Sequence, residues 1–127
     1  MRSTRLAFPL VLGLALSIAA SARAGTYSSP FLRTPSVSYA LDCVVSNVGS
    51  TPLTLTVTLY DGFGGVISPD FDACNPNTQV PGGTCSVYKL GASGRCVVEV
   101  GSSKIRAVLT VRTTGELLVA AVPLTKK

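Results

Sequence analysis

The sequence lacks residues on which several common active sites depend. It contains no histidine and no tryptophan, and charged residues make up only 13% of the chain. Without histidine a Ser-His-Asp hydrolase is impossible, because its serine nucleophile needs an imidazole base. Few side chains could form an exposed aromatic platform that binds sugars, since the chain has only four tyrosines and four phenylalanines. These absences argue against an enzyme and weaken the case for a carbohydrate-binding platform.

The N-terminal segment has the pattern of an export signal. Arg2 and Arg5 precede an apolar run at 6–20, and residues 22–24 read Ala-Arg-Ala. A basic start, a short apolar stretch and a small-residue cleavage site are typical of a secretory signal peptide. The run has about fifteen residues, whereas a membrane span needs ~20. We expect cleavage after residue 24 and a location in the periplasm or outside the cell.

Removal of this leader changes the charge balance and the domain count. The net charge of +5 falls to +2, with eight basic and six acidic residues remaining. This excess is too small to predict nucleic-acid binding, which needs a dense basic patch. The remaining 103 residues suffice for one core. The predicted organisation is a signal peptide at 1–24, an N-terminal arm or edge strand at 25–36 and a β-sandwich domain at 37–127.

Alternation of apolar and polar residues dominates the predicted domain. Segments 39–46, 53–60 and 104–112 place apolar side chains on one face and mostly polar ones on the other. In the first segment, Asp42 falls on the polar face. Antiparallel sheets with one face in the core and one in water have this pattern. Segments 95–100 and 116–123 alternate less but are rich in valine and leucine, which predicts buried strands.

Turn-forming residues separate these segments. Asp61-Gly62 ends one alternating run, and Pro81-Gly82-Gly83 precedes another. Glycine tolerates positive φ and proline presets a turn angle, so both mark corners of the chain. About seven short strands joined by turns, with no amphipathic helical stripe after the leader, predict an all-β antiparallel β-sandwich.

The four cysteines allow three disulfide pairings. An even number in an exported protein is more often a disulfide set than a metal or catalytic site. The spacings of 31, 11 and 11 residues match no zinc signature, and no C-x-x-C is present. We prefer Cys43 with Cys96, which lie in strands that could share a core, and Cys74 with Cys85, which flank a Pro-Gly-Gly turn. We expect no metal and no cofactor.

Two groups of charged residues are candidate sites. Asp70 and Asp72, with Asp61 nearby in sequence, could bind calcium or act as an acid–base pair. No D-x-D-x-D-G loop accompanies them, and aspartate caps turns well, so we expect turn capping instead.

The second group is basic. Lys104, Arg106 and Arg112 share one face of a predicted strand and form a possible binding face for an anionic polymer. The alternative is ordinary surface charge, which also discourages sheet-to-sheet aggregation.

Three segments resemble parts of known exported proteins. The stretch VVSNVGSTPLTLTVTLYDGFGGVI resembles the N-x-G-x-x-P-L-T opening of extracellular immunoglobulin-like modules of bacteria. The stretch CNPNTQVPGGTCSV resembles their cysteine-flanked Pro-Gly turn. The stretch RCVVEVGSSKIRAVLTV is similar to a segment of small, exported, uncharacterised bacterial proteins. The resemblance implies an immunoglobulin-like sandwich and export, and it brings no catalytic residues.

The functional expectation is a non-catalytic exported module that serves a structural or protein-interaction role, stabilised by two disulfides. One alternative is binding of an anionic cell-surface polymer through the basic strand face. Another is a small secreted enzyme inhibitor that presents the loop between Cys74 and Cys85. The partner is therefore expected to be another exported protein or an anionic surface polymer. Neither a nucleic-acid partner nor a transmembrane segment in the mature chain is expected.

Overall fold

The computed structural model describes residues 25–75, 77–113, 115 and 118–127. The predicted leader at 1–24 lies outside the described residues. Every regular element in the described part of the chain is a strand. The strands are β1 (Gly25–Ser28), β2 (Tyr39–Asn47), β3 (Leu53–Tyr60), β4 (Phe71–Asp72), β5 (Asn77–Gln79), β6 (Thr84–Leu90), β7 (Arg95–Val100), β8 (Ile105–Thr113), β9 (Leu118–Pro123) and β10 (Thr125–Lys126).

The strands form two antiparallel sheets of five strands each. The first sheet has the order β10-β1-β7-β3-β5, and the second has the order β4-β6-β2-β8-β9. The predicted all-β, sandwich-like architecture is therefore confirmed. The described residues form ten strands rather than the seven expected. The three additional strands are very short: β4 and β10 have two residues each, and β5 has three. In the part of the chain that the structure describes, no helix is long and apolar enough to cross a membrane.

The core lies between the two sheets and is built by the alternating strands. In β3 the side chains of Leu55, Val57 and Leu59 are buried, while the threonines between them face outward. Leu41 on β2 and Leu109 on β8 enter the same cluster from the second sheet. Burying apolar surface in this way is the main favourable term in folding.

Both preferred disulfide pairings are present. Cys43 of β2 and Cys96 of β7 are bonded across the core, with their Cα atoms 6.2 Å apart. Cys74 follows β4 and is bonded to Cys85 of β6, with a Cα separation of 5.3 Å. The first bond joins the two sheets through their interior strands, and the second ties the end of β4 to the neighbouring strand.

The prediction of a buried strand at 116–123 is wrong for 118–123, and residues 116 and 117 lie outside the described residues. The strand β9 starts at Leu118 and lies at an edge of the second sheet, where β8 is its sole partner strand among those described. Leu118 is 59% exposed and Val119 is 48% exposed. Richness in valine and leucine indicates a strand, but it does not say how many neighbours that strand acquires.

The N-terminal strand β1 is neither a frayed arm nor an edge strand. It pairs with β7 on one side and with β10 on the other. Its Tyr27 side chain joins the core cluster. The C-terminal strand β10 pairs with β1, although the two strands are about a hundred residues apart in sequence. No local sequence pattern predicts this pairing.

The break after β3 is a turn, as predicted. The Asp61 N–H donates to the Gly65 carbonyl oxygen at 2.9 Å, and the Asp61 carboxylate accepts from the N–H groups of Phe63 and Gly65. Gly64 has a φ of 84°, a left-handed conformation that favours glycine. The Asp-Gly-rich segment therefore serves as a corner of the sheet.

Gly94 permits a close approach of the chain that no larger residue would allow. Its N–H donates to the Leu32 carbonyl oxygen at 3.0 Å. An added Cβ would overlap the backbone carbonyl oxygen of Tyr60, which cannot move without disturbing the end of β3. We expect Gly94→Ala to destabilise the protein by about 1–3 kcal/mol, the usual cost of overpacking. Urea unfolding followed by circular dichroism measures the change.

Gly101→Ala is the matched control. A Cβ at Gly101 would have no heavy atom within 4 Å. We expect its unfolding free energy to stay close to that of the wild type. Equal stability of the two variants would contradict the steric role assigned to Gly94.

Candidate functional site

The candidate site lies on the outer face of the second sheet, the side that points away from the first sheet. The strand register places Asp42 of β2 between Tyr88 of β6 and Thr110 of β8. Phe71 of β4 pairs with Tyr88. An aromatic pair, a carboxylate and a hydroxyl therefore follow one another across four strands. Arg112 of β8 joins this row through its side chain.

Asp42 is buried, although the alternating pattern predicts that it faces water. It is only 3% exposed, because side chains of the neighbouring strands cover it. The Nε atom of Arg112 donates to its Oδ2 atom at 2.9 Å. The Thr110 hydroxyl donates to the backbone carbonyl oxygen of Asp42 at 3.3 Å. The polar face of β2 thus holds a covered ion pair.

The environment of Asp42 disfavours its charge. Burial raises the pKa of this carboxyl above its ordinary value, and the hydrogen bond and positive charge of Arg112 only partly offset that effect. Its Oδ1 atom is buried and has no hydrogen-bond partner among the described residues. A buried carboxylate oxygen without a donor is costly, so an atom of this kind in a native protein calls for an explanation.

Aromatic rings border the ion pair. The rings of Phe71 and Tyr88 stack with their centroids 5.4 Å apart and an interplanar angle of 23°. The Arg112 guanidinium lies 5.8 Å from the centroid of the Tyr88 ring, which is within the range of a cation–π contact. Phe71 is 46% exposed, so it presents an apolar surface whose orientation is supported by the stack.

These side chains border a shallow depression, which we call the outer-face groove. Its volume is about 480 Å³. This is within the range of about 300–1,000 Å³ that is common for small-molecule sites. The lining residues are Asp42, Val44, Phe71, Ala73, Thr84, Cys85, Ser86 and Arg112. A smaller hollow of about 240 Å³ adjoins it, and Arg112 lines both.

The predicted basic face is less uniform than the sequence pattern indicates. Arg106 lies on β8, whereas Lys104 precedes that strand, and both are exposed. Arg112 lies toward the far end of β8 and is paired with Asp42. The two exposed cations therefore cluster at one end of the strand. Their role in binding stays a prediction.

Asp61 and Asp72 cap local turns, whereas Asp70 bonds to residues of β6. Asp72 accepts hydrogen bonds from the N–H groups of Cys74 and Asn75 at 3.0 Å. Asp70 accepts from the Leu90 N–H and pairs with Lys89 at 3.1 Å. The pKa of Asp70 is lowered, chiefly by the Leu90 hydrogen bond and then by Lys89. The predicted turn capping is confirmed for Asp61 and Asp72 but is wrong for Asp70, which bonds to the distant residues Lys89 and Leu90. No cluster of three or more potential metal ligands occurs among the described residues.

The sequence also contains one motif that is found in certain serine enzymes. Ser86 and Lys89 have the S-x-x-K spacing that certain serine enzymes use for nucleophile and base. Both residues lie on β6, and side chains three apart on a strand point to opposite faces. Lys89 is instead paired with Asp70 at the margin of the sheet. The strand geometry separates the two groups rather than bringing them together.

The segment between Cys74 and Cys85 is tied to the first sheet. Its β5 strand pairs with β3, and the Asn75 side chain bonds to the backbone N–H and carbonyl of Val57 at 2.8 and 2.7 Å. These contacts hold much of the segment against the sandwich. A protruding inhibitory loop is therefore poorly supported by its geometry.

The free edges of the sheets differ in length and charge. β4, β5 and β10 are edge strands of two or three residues, and β10 contains Lys126. β9 has six residues, with the sequence LVAAVP and no charged side chain. Short length and lysine are devices that protect an edge from pairing with another chain. β9 has neither.

Comparisons with known proteins identify no relative of known function. No family model matches the chain, and no curated protein matches it. A solved structure of the Thermotoga maritima protein 1070 matches with a TM-score of 0.45 and 11% sequence identity, covering 84% of this chain and 90% of that one. The functional conclusion therefore depends on the residues and geometry described above.

Proposed function

We propose that this protein is a non-catalytic exported interaction module that binds an extended segment of another exported protein at the free edge of β9. The observation that carries the proposal is the contrast between β9 and the other edges. β9 is the longest edge strand among those described, and it lacks charge along its whole length.

Strand addition uses groups that β9 leaves open. Each residue of a strand except proline carries one backbone donor and one acceptor, and β8 occupies one side of β9. An added strand from a partner would bond to the other side, as in β-augmentation. Main-chain hydrogen bonds would supply affinity for such a strand.

Side chains of β9 would supply selectivity. Leu118 and Val119 are exposed at its start, next to the irregularity in the β8–β9 register between Val111 and Arg112. Exposed apolar residues in contact with a partner strand gain burial energy at about 25 cal/mol per Å². We expect the preferred partner segment to be apolar or β-branched rather than acidic or basic.

The export part of the proposal is supported by the two disulfides, since such bonds persist in oxidising compartments. The finer assignment to an immunoglobulin-like type is supported by the Cys43–Cys96 bond. It joins interior strands of opposite sheets, as the inter-sheet disulfide of immunoglobulin domains does.

The test is crosslinking capture from the native host, with the protein exported through its own leader. Val119→Lys places a charge on the open edge, and Val37→Lys is the matched control at a residue outside the strands that is 83% exposed. We expect a partner that is retained by the wild type and by Val37→Lys and lost by Val119→Lys. Retention of the same partner by Val119→Lys would contradict binding at β9.

A second candidate function is binding of an anionic surface polymer. It is favoured by the exposed cluster of Lys104 and Arg106 at one end of β8. In the same capture, a Lys104→Glu/Arg106→Glu variant distinguishes the two candidates. A ligand lost by this variant, and released as salt rises, would belong to the basic cluster, because exposed charges are screened beyond ~8–10 Å.

A further inference from the structure

We propose that the outer-face groove is a binding site for a neutral saccharide, with room for one or two sugar rings. This inference does not depend on strand addition at β9. It follows from the joint presence of a carboxylate oxygen without a donor among the described residues, an exposed aromatic ring held by a second ring, and two ion pairs in or beside the groove.

The charges of the groove favour a neutral ligand. Asp42 and Arg112 neutralise each other through a bond of 2.9 Å. Asp70 and Lys89, which are the sequence neighbours of Phe71 and Tyr88, form a second ion pair. Neither of these two ion pairs therefore offers a net charge to a ligand bound beside it. A ligand with many hydroxyl groups can both donate and accept without carrying charge itself.

The hydrogen-bonding groups match such a ligand. Asp42 lines the groove, and its Oδ1 atom lacks a donor among the described residues. A sugar hydroxyl can donate to this oxygen. Ser86 adds a hydroxyl to the lining. Since Oδ1 is covered in the unbound protein, the proposed contact requires a side chain that covers it to move when the ligand binds.

The apolar part of the groove matches the other side of a sugar ring. A pyranose has a patch of C–H groups as well as a rim of hydroxyls. The exposed ring of Phe71 borders the groove, and its stack on Tyr88 limits its freedom. Val44 provides a further apolar contact. An aromatic ring that is already oriented loses little entropy when a ligand packs on it.

The experiment is an NMR titration of the ¹⁵N-labelled mature protein with defined probes. Four probes are neutral tetrasaccharides, built from β-1,4-linked glucose, β-1,4-linked N-acetylglucosamine, α-1,6-linked mannose or β-1,4-linked galactose. The fifth probe, tetragalacturonate, is anionic. We expect at least one neutral probe at millimolar concentration to shift amide signals of β2, β4 and β6 around the groove. We expect tetragalacturonate to leave these signals unchanged.

Variants then test the assigned contacts. Phe71→Ala should weaken binding of the responding probe about tenfold, whereas Phe63→Ala, at a fully exposed phenylalanine elsewhere, should not change it. Asp42→Asn should weaken binding about tenfold, since a charged acceptor is replaced by a neutral amide. The amide spectrum of each variant shows directly whether it is folded.

Three results would overturn the proposal. The first is the absence of groove shifts with every neutral probe. The second is binding of a neutral probe that Phe71→Ala and Asp42→Asn leave unchanged while both remain folded. The third is groove shifts with tetragalacturonate alone, which would show a site for anions.

Discussion

Replacement of Cys43 and Cys96 by alanine is expected to lower the free energy of unfolding by about 4 kcal/mol. The bond closes a long loop, with a sequence separation of 53 residues, and the chain-entropy relation gives about 4 kcal/mol for a loop of that length. Typical domains have a stability of about 5–15 kcal/mol, so this loss is a large fraction of the total. Both cysteines are fully buried in the core, and their loss also removes packing between the sheets.

The second disulfide provides the matched comparison. Cys74 and Cys85 are separated by only 11 residues, for which the same relation gives about 3 kcal/mol. The segment they enclose is also held by the Asn75 side chain. We therefore expect the Cys74→Ala/Cys85→Ala variant to be more stable than the Cys43→Ala/Cys96→Ala variant.

Urea unfolding of the oxidised wild type and of the two double variants measures the order of stability. The expected order is wild type, then the variant without the Cys74–Cys85 bond, then the variant without the Cys43–Cys96 bond. A reversed order of the two variants would show that the bond between the sheets is not the main covalent stabiliser.

Arg112→Met is expected to destabilise the protein by about 3 kcal/mol at neutral pH. The substitution keeps a long apolar side chain but removes the cation bonded to Asp42. Asp42 then remains as a buried carboxylate without a compensating charge, and losing one partner of a buried pair commonly costs about 3–5 kcal/mol. The lower end of that range applies because the Arg112 side chain is 25% exposed.

The loss of stability caused by Arg112→Met should be smaller at low pH. The pKa of Asp42 is already raised above its ordinary value of 3.8 by burial, and both effects of Arg112 lower it. Without Arg112 the pKa of Asp42 rises further. The stability linked to a raised carboxyl pKa is fully present below the unfolded pKa and is lost as pH rises through the folded pKa. Arg112→Met should therefore be closer to wild-type stability near pH 4 than near pH 7.

A double variant separates charge from packing. Asp42→Asn/Arg112→Met has neither charged partner, so it should recover part of the stability lost by Arg112→Met at neutral pH. The opposite linkage of Asp70, whose lowered pKa contributes stability that is lost as pH falls, is common to all variants and cancels in the comparison. Urea midpoints at the two pH values provide the measurement. An Arg112→Met defect of the same size at both pH values would argue against an uncompensated Asp42 charge.

Much of the architecture follows from local patterns in the sequence. Alternating apolar and polar residues predict β2, β3 and β8, because successive side chains of a strand point to opposite faces. The Asp61 turn follows from residues that tolerate tight bends. The two disulfides follow from an even cysteine count, the predicted strand positions of Cys43 and Cys96, and the turn between Cys74 and Cys85.

The candidate site could be predicted only in part. The pattern places Arg112 and Asp42 on the outward sides of their strands, and it identifies Lys104 and Arg106 as exposed cations. It does not show that Asp42 and Arg112, 70 residues apart, are bonded to each other. It also does not predict the groove, because its walls come from four segments distant in sequence.

The sequence by itself determined that the chain forms short strands with one apolar face and that its cysteines suit two bonds. Only the tertiary structure decided which strands became neighbours. That choice buried Asp42, placed β1 between β7 and β10, and left β9 at an open edge. The physical reason is the distance along the chain over which each interaction acts. Alternation acts between adjacent residues, whereas strand pairing and the burial of a polar group are set by contacts between segments far apart in the chain.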